Sequence, residues 1–158
     1  MRANNFARTR RDTAEVPHPV EAVWEVLVDP EAVARLTPLV SSIEVDAAGR
    51  WIWYLQGVPA PGRHLDLTMT QEMTFRRPEL IEFTHPPLDR ALAAGAEGSY
   101  TLEPVEQATR LSIELTVTAR LPLPGLAAPA VRTVMQQVLD RMGSRFATNL
   151  TTELERRG

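Results

Sequence analysis

His64 and Asp66 stand two residues apart, a spacing at which a carboxylate can orient an imidazole for general-base work. They lie on the polar side of an alternating run, opposite Leu65, Leu67 and Met69, which directs the pair to solvent. His18, His64 and His85 fall on three separate elements with no HxxxH-type spacing, so no metal site is expected. Glu72, Glu82 and Glu114 all take the polar parity of their strands. No Ser–His–Asp arrangement, glycine-rich phosphate loop or inward pair of acids stands out. The polar groups that do fall inward are few. Gln71 shares parity with Leu67, Met69, Met73 and Phe75, and Tyr100 shares it with Leu102. A buried amide must find partners, and a cavity water or a ligand carbonyl would serve. The other reading is a strand bulge that turns Gln71 outward. The Tyr100 hydroxyl either enters the same space or bonds to backbone. Arg63 and His85 have inward parity at strand ends. There they either ring a cavity mouth, attracting an anionic head group, or form rim salt bridges and face solvent.

Composition narrows the chemistry further. The chain has 158 residues, enough for one domain, expected to span residues 1–158. It contains no cysteine, which excludes disulfides, thiolate metal sites and cysteine nucleophiles. All 17 basic residues are arginine, so Schiff-base lysine chemistry and a P-loop lysine are excluded too. A net charge of −3, with arginines dispersed, argues against nucleic acid as a partner. No apolar run is long enough to span a membrane. Arg2, Arg8, Arg10 and Arg11 are not followed by the apolar stretch of a secretion signal, so a cytoplasmic location is expected.

The elements that must position these residues follow from periodicity. Residues 6–16 alternate weakly and read as a strand. Val23, Trp24, Leu27 and Val28 recur at helical spacing after Pro19, and Asp29-Pro30-Glu31 opens a second short helix over 30–36. The period then switches to two. Strands are expected around Ile43 and Val45, over 50–57, over 64–75, around Ile81 and Phe83, around Gly98 to Leu102, and over 110–119, with a loop at Pro59 to Gly62. In the last strand Leu111, Ile113, Leu115 and Val117 should be buried against a helix. That helix follows the stop Leu121-Pro122-Leu123-Pro124-Gly125 and carries the stripe Val131, Met135, Val138, Leu139, Met142, Phe146 and Leu150. Gly143 inside it permits a bend or a close contact.

A strongly twisted sheet wrapped around one helix leaves a gap, and an apolar gap is a ligand cavity. The segments Val16-Pro17-His18-Pro19-Val20-Glu21-Ala22-Val23-Trp24, Leu27-Val28-Asp29-Pro30-Glu31, Leu36-Thr37-Pro38 and Ser42-Ile43-Glu44-Val45, followed by the late proline stop and long helix, resemble the START-like superfamily. That superfamily includes birch-pollen-allergen-like proteins and the polyketide cyclase/dehydrase group. The resemblance covers about residues 8–155. It implies an α+β helix-grip fold: a curved antiparallel sheet of about seven strands around a long C-terminal helix, with two short helices after strand 1. It also implies a cavity for a small hydrophobic molecule such as a lipid, quinone or polyketide, and it carries no shared catalytic motif. The residues expected to meet such a ligand are Trp53, Arg63, Met69, Gln71, Met73, Phe83, His85, Tyr100, Met135, Val138 and Met142. Methionine suits an adaptable pocket, although the same side chains would also make a closed core.

Three functions therefore compete. The first is a binding or carrier protein. The second is a cyclase or dehydratase-type enzyme in which Tyr100, Gln71, Arg63 or His85 polarises a carbonyl. The third is a closed-core interaction module. The scarcity of inward acids favours the first. No cofactor is expected, and the oligomeric expectation is a monomer or weak homodimer.

Overall fold

The structure, a computed structural model, describes residues 3–158. In chain order it comprises β1 (Asn4–Val16), α1 (Val20–Leu27), α2 (Pro30–Leu36), β2 (Val40–Val45), β3 (Trp51–Ala60), β4 (Arg63–Arg76), β5 (Leu80–Thr84), β6 (Ala94–Val105), β7 (Ala108–Leu121), a 3-10 turn (Gly125–Ala127) and α3 (Ala128–Arg157). The seven strands form one antiparallel sheet in the order β1-β7-β6-β5-β4-β3-β2. The long C-terminal helix and the two short helices after β1 complete the expected α+β helix-grip architecture. No described helix is long and apolar enough to cross a membrane.

Local chemistry explains the boundaries. The Asp29 carboxylate accepts the Glu31 N–H at 3.0 Å, and Pro30 fills the first position of α2, where a missing N–H costs nothing. The same helix ends at Thr37, which precedes Pro38 and is held extended as a residue before proline should be. β3 runs through Pro59 to Ala60, so the expected loop shrinks to a turn at Pro61–Gly62. Proline is tolerated there because β2 pairs with β3 only as far as Leu55, leaving the rest of that side as an edge. Between Leu55 and Val58 the β3–β4 register shifts at Gly57, whose φ is +66°. The exposed Asp66 carboxylate accepts the Gly57 N–H at 3.0 Å and holds this bulge. Neighbouring His64 is likewise exposed.

The helix α3 is clamped at its two ends. Near its start Val131 packs with Phe6 and Leu121. Near its finish Leu150 and Leu154 join Val23, Trp24, Val26 and Leu27 of α1 and Ile81, Leu102 and Leu111 of the sheet. Each fully buried leucine contributes roughly 1.5–3 kcal/mol. Asn149 adds a hydrogen bond from its amide to the Leu36 carbonyl at 2.9 Å. The buried carboxylate of Glu153 gathers Arg35, Arg156 and Arg157, tying α2 to the helix end, and these guanidinium contacts lower its pKa despite its burial.

Between the clamps Val134, Met135, Val138, Met142 and Phe146 are only half-buried. The facing residues of β7 behave alike. Leu111 is buried as expected, but Ile113, Leu115 and Val117 are half-buried, because the middle of α3 stands off β7.

Candidate functional site

The standoff encloses a cavity of about 280 Å³. Its floor comes from β3 to β7, its roof from α3, and one flank from Val33 of α2 and from Thr37 just past that helix. Alternation along the strands is what aims apolar side chains into it: Trp53 and Leu55 on β3, Leu67 and Met69 on β4, Leu115 and Val117 on β7.

Of the residues singled out from sequence, Trp53, Met69, Gln71, Phe83, Tyr100, Met135, Val138 and Met142 line this space. Arg63, His85 and Met73 lie elsewhere. Arg63 is exposed just past the β3–β4 turn, opposite Ala60. His85 follows the last residue of β5; its ring lies against Gly95, where a Cβ would collide with it, and its Nδ1 is 2.7 Å from the Pro86 carbonyl. Met73 sits where β4 has reached α1, packed at the junction of two apolar clusters. Met73 thus keeps its inward direction but packs in the core outside the cavity, whereas Arg63 and His85 lie at or past strand ends, where parity no longer places a side chain.

Gln71 is turned inward, not outward on a bulge, and is 4% exposed. Its Oε1 accepts the Trp53 indole N–H at 2.8 Å. Among the described residues its Nε2 has no partner, yet that nitrogen is not sealed from the cavity. Tyr100 makes no side-chain hydrogen bond among the described residues. Its ring lies 5.3 Å from that of Phe83, and burial pushes the phenol pKa up to about 12, so the hydroxyl keeps its proton at neutral pH.

The rim carries charges that strand reading missed. Arg10 and Asp12 share parity with buried Phe6 and Val16 on edge strand β1, yet Arg10 meets the polar flank of α3 and Asp12 pairs with Arg10. The Arg10 guanidinium donates to the Leu139 carbonyl at 2.9 Å, to Asp140 at 3.0 Å and to Asp12 at 3.1 Å. It rests on Gly143, where a Cβ would lie 2.6 Å from its central carbon. This is the close contact that a glycine within the helix permits. Farther along, Arg8 reaches the Gln136 side chain at 2.7 Å. The lining charges are thus Arg10 with Asp12 and Glu15, and the one guanidinium is already paired with two carboxylates. Among the described residues, no group of three or more His, Asp or Glu side chains is placed to hold a metal ion.

Such an arrangement can enclose a small apolar molecule, exclude water from it, and offer hydrogen bonds from Gln71 and Tyr100. Residues 8–155 match the family model described as polyketide cyclase / dehydrase and lipid transport. No curated protein matches the chain in sequence. Among solved structures, the Zhui aromatase/cyclase from Streptomyces sp. R1128 is similar with a TM-score of 0.72 and 20% identity, covering 96% of each chain. The protein TTHA0849 from Thermus thermophilus gives 0.71 and 21%, covering 96% of this chain and 99% of its own. A START superfamily protein from Mycobacterium smegmatis gives 0.67 and 17%, covering 95% and 99%. At these identities the likeness is one of fold.

Proposed function

The chain belongs to the polyketide cyclase / dehydrase and lipid transport family, and from that premise we propose that it binds and carries one small hydrophobic molecule between sheet and helix. The observation that supports this reading is the apolar cavity of about 280 Å³ between the sheet and the long helix α3. Its volume approaches the lower end of ordinary ligand pockets, roughly 300 Å³, and exceeds the roughly 150 Å³ void that accepts benzene. A molecule of two or three fused rings, or a short acyl chain, is the matching size.

Carriage is favoured over chemistry by the kind of groups that face this space. The lining carboxylates, Asp12 and Glu15, both come from β1, and Asp12 is paired with Arg10. Besides Thr37 and Thr151, whose hydroxyls donate to helix carbonyls, the uncharged polar side chains on the cavity are an amide and a phenol whose pKa lies near 12, far from the range in which a general base works at neutral pH. Both can orient a ligand, and neither readily takes a proton from it.

Native mass spectrometry of protein purified from its own host tests the proposal. The expected spectrum has a species heavier than the chain by one small molecule, released on denaturation. A bare chain that also takes up no apolar compound when several are offered would overturn it.

A further inference from the structure

The indole N–H of Trp53 can only donate, so the Gln71 amide must present its oxygen to it and turn its NH₂ toward the cavity. This fixes an otherwise ambiguous group. An amide free to flip would serve donors and acceptors alike, whereas this one is locked as a donor by a 2.8 Å bond. Tyr100 adds a hydroxyl on the same cavity, across Phe83. Charge selects as well. Arg10, the lining cation, is committed to Asp12, Asp140 and the Leu139 carbonyl, and Glu15 adds a negative charge. A carboxylate head group finds no uncommitted cation among the described lining residues, and burying it unpaired would be costly.

Building on the ligand-cavity reading above, we propose that the site selects uncharged apolar molecules bearing a hydrogen-bond-accepting oxygen. Gln71 is the specificity-determining residue and Trp53 the positioning residue that holds its amide in the donor orientation. An oxygen seated on the Gln71 Nε2–H pairs with a cavity-facing donor that no described protein group satisfies. A hydrocarbon of the same shape leaves it unmet.

Calorimetric titration with three compounds of one ring skeleton tests this: fluorene, 9-fluorenone and fluorene-9-carboxylate. The parent protein is expected to bind fluorenone about 3- to 10-fold more tightly than fluorene, the worth of one buried hydrogen bond. It is expected to bind the carboxylate more weakly than fluorene. In a Trp53→Phe background, where no indole N–H is left to take over as donor, Gln71→Leu should bring the ratio of fluorenone to fluorene affinity to about one, and Gln71→Met repeats the test if the leucine variant fails to fold. Trp53→Phe leaves Gln71 in place but frees its amide, so the preference should shrink and 9-fluorenol, which can donate, should gain on fluorenone. Equal binding of fluorene and fluorenone by the parent, or a preference that survives loss of the amide, overturns the inference and leaves the cavity reading intact. Failure of all three compounds to bind overturns both.

Discussion

Tyr100 gives the site a hydroxyl that stays protonated across the physiological range, because burial penalises the phenolate. The consequence for stability has a definite sign. Above about pH 10 the unfolded chain releases this proton while the folded chain retains it until about 12, so the folded state loses stability as pH rises through that window. In a Tyr54→Phe variant, which leaves Tyr100 as the other tyrosine, phenolate absorbance should appear near pH 12 or only with unfolding. A reversible midpoint near 10 in the folded protein would place Tyr100 in contact with bulk water. Gln71 shows how far single residues could be read. Its inward parity with Met69 was visible in the sequence, since a period of two needs no partner to be detected. Its bond to Trp53 was not, because that depends on the β3–β4 register, which pairs Trp53 with Met69 and so places the indole one diagonal from Gln71.

Among the elements, β7 and α3 were the most legible, each having a clean period over many residues. The seam between α3 and β1 was not. Arg10 and Asp12 break the apolar face of β1, and the reason lies on another element: Gly143 leaves room for a guanidinium against the helix backbone. Ends of elements failed for a related cause. Arg63 and His85 kept inward parity on paper, but Arg63 directly follows the turn at Pro61–Gly62 and His85 lies past the end of β5, and neither reaches the cavity. The Arg10–Gly143 contact yields a double-mutant test. In an exposed helix Gly→Ala gains about 1 kcal/mol. Here Gly143→Ala should gain nothing or lose stability, because the new methyl displaces Arg10 from Leu139 and Asp140. In an Arg10→Ala background the same substitution should regain its ordinary benefit, giving a coupling of about 0.5–2 kcal/mol by denaturant unfolding. Additive effects would mean that the arginine does not depend on the glycine.

For the whole molecule, the long helix is fastened by apolar contacts at Val131 and at Leu150 to Leu154 and along one side by Arg10 of β1, while the middle of β7 stays clear of it. Two clamps and a standoff produce an interior that packing does not fill. A closed core would be the more stable arrangement, which is why the unfilled space is read as function. Filling it should separate the two cases. Met135 lines the cavity and is half-buried, so Met135→Trp should extend into open volume and change stability by less than about 1.5 kcal/mol. The most direct measurement is a fluorescence titration of the parent and Met135→Trp with prodan, an uncharged naphthyl ketone whose emission shifts to the blue in apolar surroundings. The account predicts saturable one-to-one binding with a blue shift in the parent, lost or weakened at least tenfold in a Met135→Trp protein of nearly unchanged stability. No saturable binding in the parent, together with a loss of about 1–3 kcal/mol or more in the variant, would contradict it and show a closed core.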